Sequence, residues 1–316
     1  MRKITTVFYI VLALSFLQCK PDTSQSQEQK TIKIACTTAM AADLVKNITG
    51  AEFEVRHLMG PGVDPHLYKA SQGDLQTLQE ADMIVYNGLH LEGKMTEIFE
   101  KLSKIKKVVA LADLVDTSRI LMDDAYVGLP DPHIWFNVDM WASSLTGLAQ
   151  EICSLDDSKC ESFTNNAKIY KQRLDSLHIY AGQELAKIDD DRRVLITAHD
   201  AFKYFGDAYN IEVRGLQGIS TLSEFGLKDR IDLVNFIVEN GIGAVFVESS
   251  VSQKNILAIV EACKEKGHDV IIGESLYSDA MGEDGTEEGT YIGMFRSNIR
   301  NIVNGLSDKE NSDNES

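Results

Sequence analysis

From residue 31 onward, short apolar runs rich in β-branched residues alternate with amphipathic stretches, and this alternation restricts the fold more than any other feature. The apolar runs lie at 32–35, 53–58, 83–86 and 108–111, with helical patterns around 41–48, 71–80 and 94–104. A second series has runs at 194–197, 211–216, 244–248 and 269–272, with helical patterns around 200–209, 228–240, 253–266 and 289–303. Strands separated by helices imply crossover connections, so each series predicts βαβ units in a mostly parallel sheet flanked by helices. Between the series, 160–188 contains no proline and only Gly182 to interrupt it. Ile169, Leu174, Leu177, Tyr180 and Leu185 recur there at roughly helical spacing, which predicts one long helix over about 161–187. The expected fold class is therefore α/β: an N-terminal lobe over 31–160, a connecting helix over 161–188 and a C-terminal lobe over 189–305. A helix is a stiff connector, unlike a Gly/Ser linker, so the lobes should face each other across a cleft.

One short motif occurs twice, as Asp64-Pro65-His66 and Asp131-Pro132-His133. With 5 Pro and 7 His in 316 residues, chance supplies roughly 0.1 Pro-His pair (5 × 7 / 316). Proline fixes its own φ and drives the preceding residue out of the helical region, so each His sits in a rigid turn. A single such motif reads as an ordinary turn with a solvent-facing His. Two copies point to a metal site assembled from loops, because neutral imidazole is the commonest metal ligand among side chains.

The N-terminus reads as a targeting segment. Arg2 and Lys3 precede an apolar run over 4–17, too short to span a bilayer comfortably, which predicts a signal peptide over 1–18. Cys19 follows at once and is the candidate lipidation site, although Gln18 departs from the small residue usual before such a cysteine. Residues 19–30 hold no large apolar side chain and read as a disordered tether, and 306–316 reads as a disordered acidic tail. Removing Arg2 and Lys3 with no acid takes the formal charge from −17 to −19, which argues against nucleic acid as a partner. Cys36, Cys153, Cys160 and Cys263 form no Cys-x-x-Cys pair, so a thiolate zinc site is not expected. In an exported chain Cys153 and Cys160 either bridge a short loop or remain two buried thiols. Cys36 and Cys263 read as core residues.

Ligands of open α/β sheets bind beyond the carboxyl ends of the strands. His66 follows the second apolar run, His199 follows the run at 194–197, and Asp279 follows the last run. His133 lies in the loop before a helix beginning near Asn137. Two of these residues belong to each lobe, so an interlobe cleft would bring all four together.

Five stretches carry a family resemblance: Gly60-Pro61-Gly62-Val63-Asp64-Pro65-His66, Tyr86-Asn87-Gly88-Leu89-His90-Leu91-Glu92, Asp131-Pro132-His133-Ile134-Trp135-Phe136, Thr197-Ala198-His199-Asp200-Ala201-Phe202 and Ser278-Asp279-Ala280-Met281-Gly282. In their order and spacing the chain resembles the cluster A-I metal-binding receptors of bacterial ABC importers for zinc and manganese, in particular the receptor type known from treponemes. The resemblance runs over about 31–303. It implies a non-catalytic, monomeric receptor with a rigid backbone helix and one divalent ion as cargo between the lobes. It further implies His66, His133, His199 and Asp279 as ligands, a membrane permease as partner, and a lipid-anchored periplasmic or cell-surface location.

Three imidazoles and one carboxylate suit Zn²⁺, whereas Mn²⁺ favours oxygen donors. His199 stands where manganese-preferring members are expected to carry a carboxylate. The segment 117–130 has no His, so the long His-rich loop of many dedicated zinc receptors is missing. A zinc receptor without that loop, or a receptor serving both metals, is expected. Glu248 is read either as a partner orienting a ligand His or as a member of a buried ion pair. Asp64, Asp131 and Asp200 are expected to shape turns or cap helices, and His57, His90, His178 and His268 to be structural or exposed. Two other classes remain: a zinc hydrolase with a His₃ site and Asp279 as base, and, as a secondary role, a surface adhesin.

Overall fold

The long central stretch forms a helix that both halves of the protein share as core. A computed structural model describes residues 31–122, 128–222 and 226–307; the expected signal peptide, the tether, Cys19 and the tail beyond Ser307 lie outside them.

The first half contains β1 (Lys33–Thr38), α1 (Ala39–Thr49), β2 (Glu54–Met59), α2 (Gln72–Glu80), β3 (Met83–Tyr86), α3 (Thr96–Leu102) and β4 (Lys107–Ala110). Its sheet is wholly parallel in the order β2-β1-β3-β4. Then come α4 (Val138–Cys153) and α5 (Cys160–Leu185). The second half contains β5 (Val194–His199), α6 (Lys203–Tyr209), β6 (Glu212–Gln217), α7 (Leu227–Glu239), β7 (Ala244–Val245), α8 (Lys254–Glu265), β8 (Ile271–Ile272) and α9 (Tyr291–Leu306). β5 pairs with β6 and β7 with β8, both in parallel. A bond from Phe246 N to Ile196 O (2.8 Å) joins the two pairs, giving the order β6-β5-β7-β8. The second half thus repeats the strand order of the first. Two α/β lobes joined by one long helix are the architecture that the alternating pattern predicts.

Two expected strands are shorter than their apolar runs. β7 and β8 keep only two residues each, although Leu276 N to Val247 O and Ser249 N to Leu276 O (2.9 Å each) prolong the pairing irregularly. Glu248 and Asp279 emerge from this irregular end.

α5 buries Phe163, Ala167, Tyr170, Leu174, Leu177, Ala181 and Leu185, a stripe repeating every three to four residues. That stripe packs against α1 and α4 on one side and α6 and α9 on the other. Ile169, expected on the buried face, is 49 % exposed, because it falls one position short of Tyr170 in the repeat. Full burial of a large apolar side chain stabilises by about 1.5–3 kcal/mol, so a stripe touching four helices holds the lobes with little freedom to hinge.

A disulfide joins Cys153 at the end of α4 to Cys160 at the start of α5, and Cys36 and Cys263 are buried free thiols. The bridge closes a short loop, so its loss frees limited chain entropy. Replacing both residues with Ser is expected to lower the unfolding free energy by about 2 kcal/mol. Urea denaturation with and without reductant checks this; identical midpoints would contradict it.

Candidate metal centre

The two Asp-Pro-His loops use the same local device. Asp64 Oδ1 accepts a hydrogen bond from His66 N (2.8 Å), and Asp131 Oδ1 accepts one from His133 N (2.9 Å). Each Asp thus closes a turn over the proline, the role expected of it. Gly62, at φ +69°, supplies the left-handed residue that turns the chain after β2. Asp64 also accepts from the Thr221 hydroxyl (2.6 Å) through Oδ2, tying the His66 loop to the second lobe. Asp131 does more than shape its turn: its Oδ1 lies 2.7 Å from His133 Nδ1 and fixes the imidazole itself.

His199 is the last residue of β5. Its backbone N donates to Glu248 Oε1 (2.8 Å), and its Nδ1 lies 2.5 Å from Glu248 Oε2. Glu248 thus meets His199 through both carboxylate oxygens, a contact that fits an orienting partner and a buried ion pair alike. β6 passes so close behind this point that a Cβ on Gly215 would sit 2.4 Å from Asp200 N. Only glycine lets the neighbouring strand run there without displacing His199-Asp200. Asp200 pairs with Lys203 (3.1 Å) at the start of α6, and the residue before that helix, Phe202, offers no side-chain cap.

Asp279 follows β8, on a loop held by Trp135 Nε1 donating to Ser278 O (3.1 Å) and by Asn298 Nδ2 donating to Tyr277 O (2.7 Å). Its carboxylate meets three imidazoles: Oδ2 is 3.2 Å from His199 Nε2 and 3.7 Å from His66 Nε2, and Oδ1 is 3.5 Å from His133 Nε2. His66 Nε2 and His133 Nε2 are 3.3 Å apart. All four donor atoms lie within 4.8 Å of one another, and the residues are at most 3 % exposed. Zinc bonds of about 2.1 Å in a tetrahedron place neighbouring donors about 3.4 Å apart. These separations, from 3.2 to 3.7 Å, bracket that edge length. His199 Nε2 and both Asp279 oxygens are buried without a hydrogen-bond partner, as donors reserved for a cation would be.

Electrostatics divide the imidazoles. Burial pushes His66 down to about 3, so it stays neutral and ready to ligate. Burial also opposes charge on His199, but the carboxylates of Glu248 and Asp279 outweigh it and raise that imidazole well above its ordinary range. Asp279 is reciprocally held well below the usual carboxylate range: burial would raise it, yet His199, His66 and His133 prevail.

The sequence indicated the four residues that converge, but not the contact of Asp131 with a ring nitrogen or the bond from Trp135. The Asp-x-His spacing carried a signal for the first; the second joins residues 143 apart and left none. Of the remaining histidines, His178 contacts the Tyr209 hydroxyl (3.1 Å), His268 contacts Ile242 O (2.8 Å), His57 faces Asp284 (3.8 Å), and His90 is exposed.

The chain is similar to known proteins over most of its length. The family model ZnuA, zinc-uptake complex component A, periplasmic, matches residues 34–305. The chain is 46 % identical over 289 residues to the manganese-binding lipoprotein MntA of Bacillus subtilis strain 168, covering 91 % of this chain and 94 % of that one. It is 46 % identical over 275 residues to the zinc-binding protein TroA of Treponema pallidum strain Nichols, covering 87 % and 88 %. A solved structure of the periplasmic zinc-binding protein TroA from Treponema pallidum superposes with a TM-score of 0.85 at 45 % identity, covering 88 % of this chain and all of that one.

Because the pKa of His199 is raised, the metal-free protein holds a proton there at neutral pH, and a bound ion must expel it. Zinc affinity is therefore expected to rise with pH by close to one decade per unit below that pKa, with about one proton released per ion at pH 7. His66, already neutral, adds nothing to this dependence. Titration calorimetry in buffers of different ionisation enthalpy measures the release. Glu248→Gln is expected to weaken zinc binding about 10- to 100-fold and to reduce the released proton; unchanged affinity and proton count would refute the orienting role.

Proposed function

The chain belongs to the ZnuA family, and we propose that it is the substrate-binding receptor of an ABC importer, capturing one divalent ion, zinc foremost and manganese as an alternative cargo. The observation that carries this reading is the set of donor separations between His66, His133, His199 and Asp279, which fit the edges of a zinc tetrahedron. The proposed ligands are these four residues, and Glu248 and Asp131 hold two of the imidazoles from behind. Relatives named for zinc and for manganese support both cargoes. By donor preference the three nitrogens favour zinc at equal concentrations.

Four protein donors complete a zinc shell, as in sites that hold the ion rather than activate water. The hydrolase alternative needs one of those positions open, and the absence of a solvent-exposed donor supports the receptor reading over it. No helix among the described residues is long and apolar enough to cross a membrane. We place the receptor outside the cytoplasm as a monomer, tethered by lipid on Cys19; the sequence pattern at Cys19 and the lipoprotein relatives support the anchor. Its partner is the membrane permease that receives the ion. The lobe boundaries at 160–161 and 188–189 complete the proposal.

Elemental analysis and titration of metal-stripped protein are expected to give about one zinc per chain, lost in His199→Ala and at least a hundredfold weaker in His66→Ala and His133→Ala. A stoichiometry near zero, or full affinity in both loop variants, would sink the reading. Manganese is expected to bind more weakly and to be displaced by equimolar zinc.

A further inference from the structure

His90 lies in one of the stretches that carry the family likeness, yet it is not among the four converging donors. It is exposed, and among the described residues no hydrogen bond or ion pair engages its ring. Its backbone is unusual: Leu89 and His90 are consecutive non-glycine residues in the left-handed region, at φ 52° and 64°. Such conformations persist only where the surroundings enforce them, and they cluster at functional sites.

The enforcement is visible. The buried Glu92 carboxylate accepts from Thr37 Oγ1 (2.7 Å), Asn87 N (2.8 Å) and Gly88 N (3.3 Å), clamping both ends of the loop. Asn87 Nδ2 donates to Pro132 O (2.8 Å), joining this loop to the one that carries His133. The clamp presents His90 at a cavity of about 380 Å³ between the lobes, whose wall also includes Pro132, Ile219 and Leu222. Of the four metal-centre residues only His66 lines that cavity. A single imidazole, with Lys94 on the same wall, cannot hold a divalent ion strongly.

We infer that His90 is a transient capture ligand: it takes a hydrated divalent ion from solvent and hands it across the cavity to His66, the first of the four buried donors to be reached. The inference rests on the receptor reading and adds a second, weak coordination point to it. One water of the hydrated ion is exchanged for the His90 imidazole. That bond is then exchanged for the ring of His66 while the remaining waters leave to solvent, so no proton or electron needs another carrier.

A residue that ligates on the path but not in the final site must change both rates by one factor and leave the equilibrium untouched. The test is stopped-flow uptake of Zn²⁺ by the metal-stripped mature chain against a fluorescent chelator, comparing wild type with His90→Ala and His90→Asn. Asn tolerates the left-handed backbone and so preserves the loop while removing the imidazole. Both variants are expected to associate three- to tenfold more slowly, to dissociate more slowly by the same factor, and to keep the wild-type affinity. An unchanged association rate in either variant would overturn the inference, as would weakened affinity at an unchanged association rate. Zinc uptake by the wild type that is lost in His199→Ala checks the receptor reading separately; its failure would overturn both.

Discussion

A buried carboxylate enclosed by three imidazoles is the constraint around which this protein is organised. Burying one such anion costs several kcal/mol unless opposite charge is close. In the metal-free protein that charge comes from His199, whose proton is kept by Asp279 and Glu248 together. On the proposed reading, a bound divalent cation would supply it instead, and proton and metal would compete for one place.

That competition would work only if the four side chains cannot drift apart, and each of them stands on a braced segment of the scaffold. His66 and His133 stand on turns closed by Asp64 and Asp131, His199 on a strand end braced by Glu248, and Asp279 on a loop bonded to Trp135 and Asn298. Several of these ties cross between the lobes: Thr221 to Asp64, Trp135 to Ser278, and the Tyr204 hydroxyl to Asp131 O (3.0 Å). A further buried group, Asp43, accepts from the Tyr170 hydroxyl of α5 and from Tyr291 N at the start of α9 (3.4 Å). Tyr291 in turn donates to Trp135 O (2.6 Å). The central helix is thus joined by hydrogen bonds, as well as by apolar packing, to the loops that carry the donors. Wide hinge opening would break these ties together, so exchange of the ion is expected through small local movements.

Much of this was legible in the sequence because it depends on local rules. Alternating runs fixed the α/β class, proline and aspartate marked the two His loops, and the rule that ligands sit beyond strand ends picked out His199 and Asp279. What was not legible depends on distance or on rotation about a helix axis. Ile169 and Tyr170 are adjacent apolar residues, and only packing against α1 and α9 decides which one faces inward. The shortening of β7 and β8 is a second such case: beyond them the pairing continues only as an irregular bridge between Glu248 and Leu276. Trp135 reads as an ordinary core aromatic until its indole is seen against Ser278. His90 reads as a surface residue until the clamp of Glu92 beneath it is seen.

The donor set also bears on which metal the centre can accept. Both Asp279 oxygens face imidazoles, Oδ2 towards His199 and His66 and Oδ1 towards His133, and neither is held by another donor. On the proposed reading, engagement of the ion through both carboxylate oxygens would raise the donor count from four to five. Four donors match the zinc tetrahedron, and a fifth oxygen moves the centre towards the higher coordination and oxygen content that manganese prefers. The three imidazoles are fixed less symmetrically: Asp131 and Glu248 lock two of them, whereas His66 is held only through its backbone turn. On the proposed reading, accommodation of a second metal would fall to Asp279 and His66, whose side chains no orienting carboxylate holds.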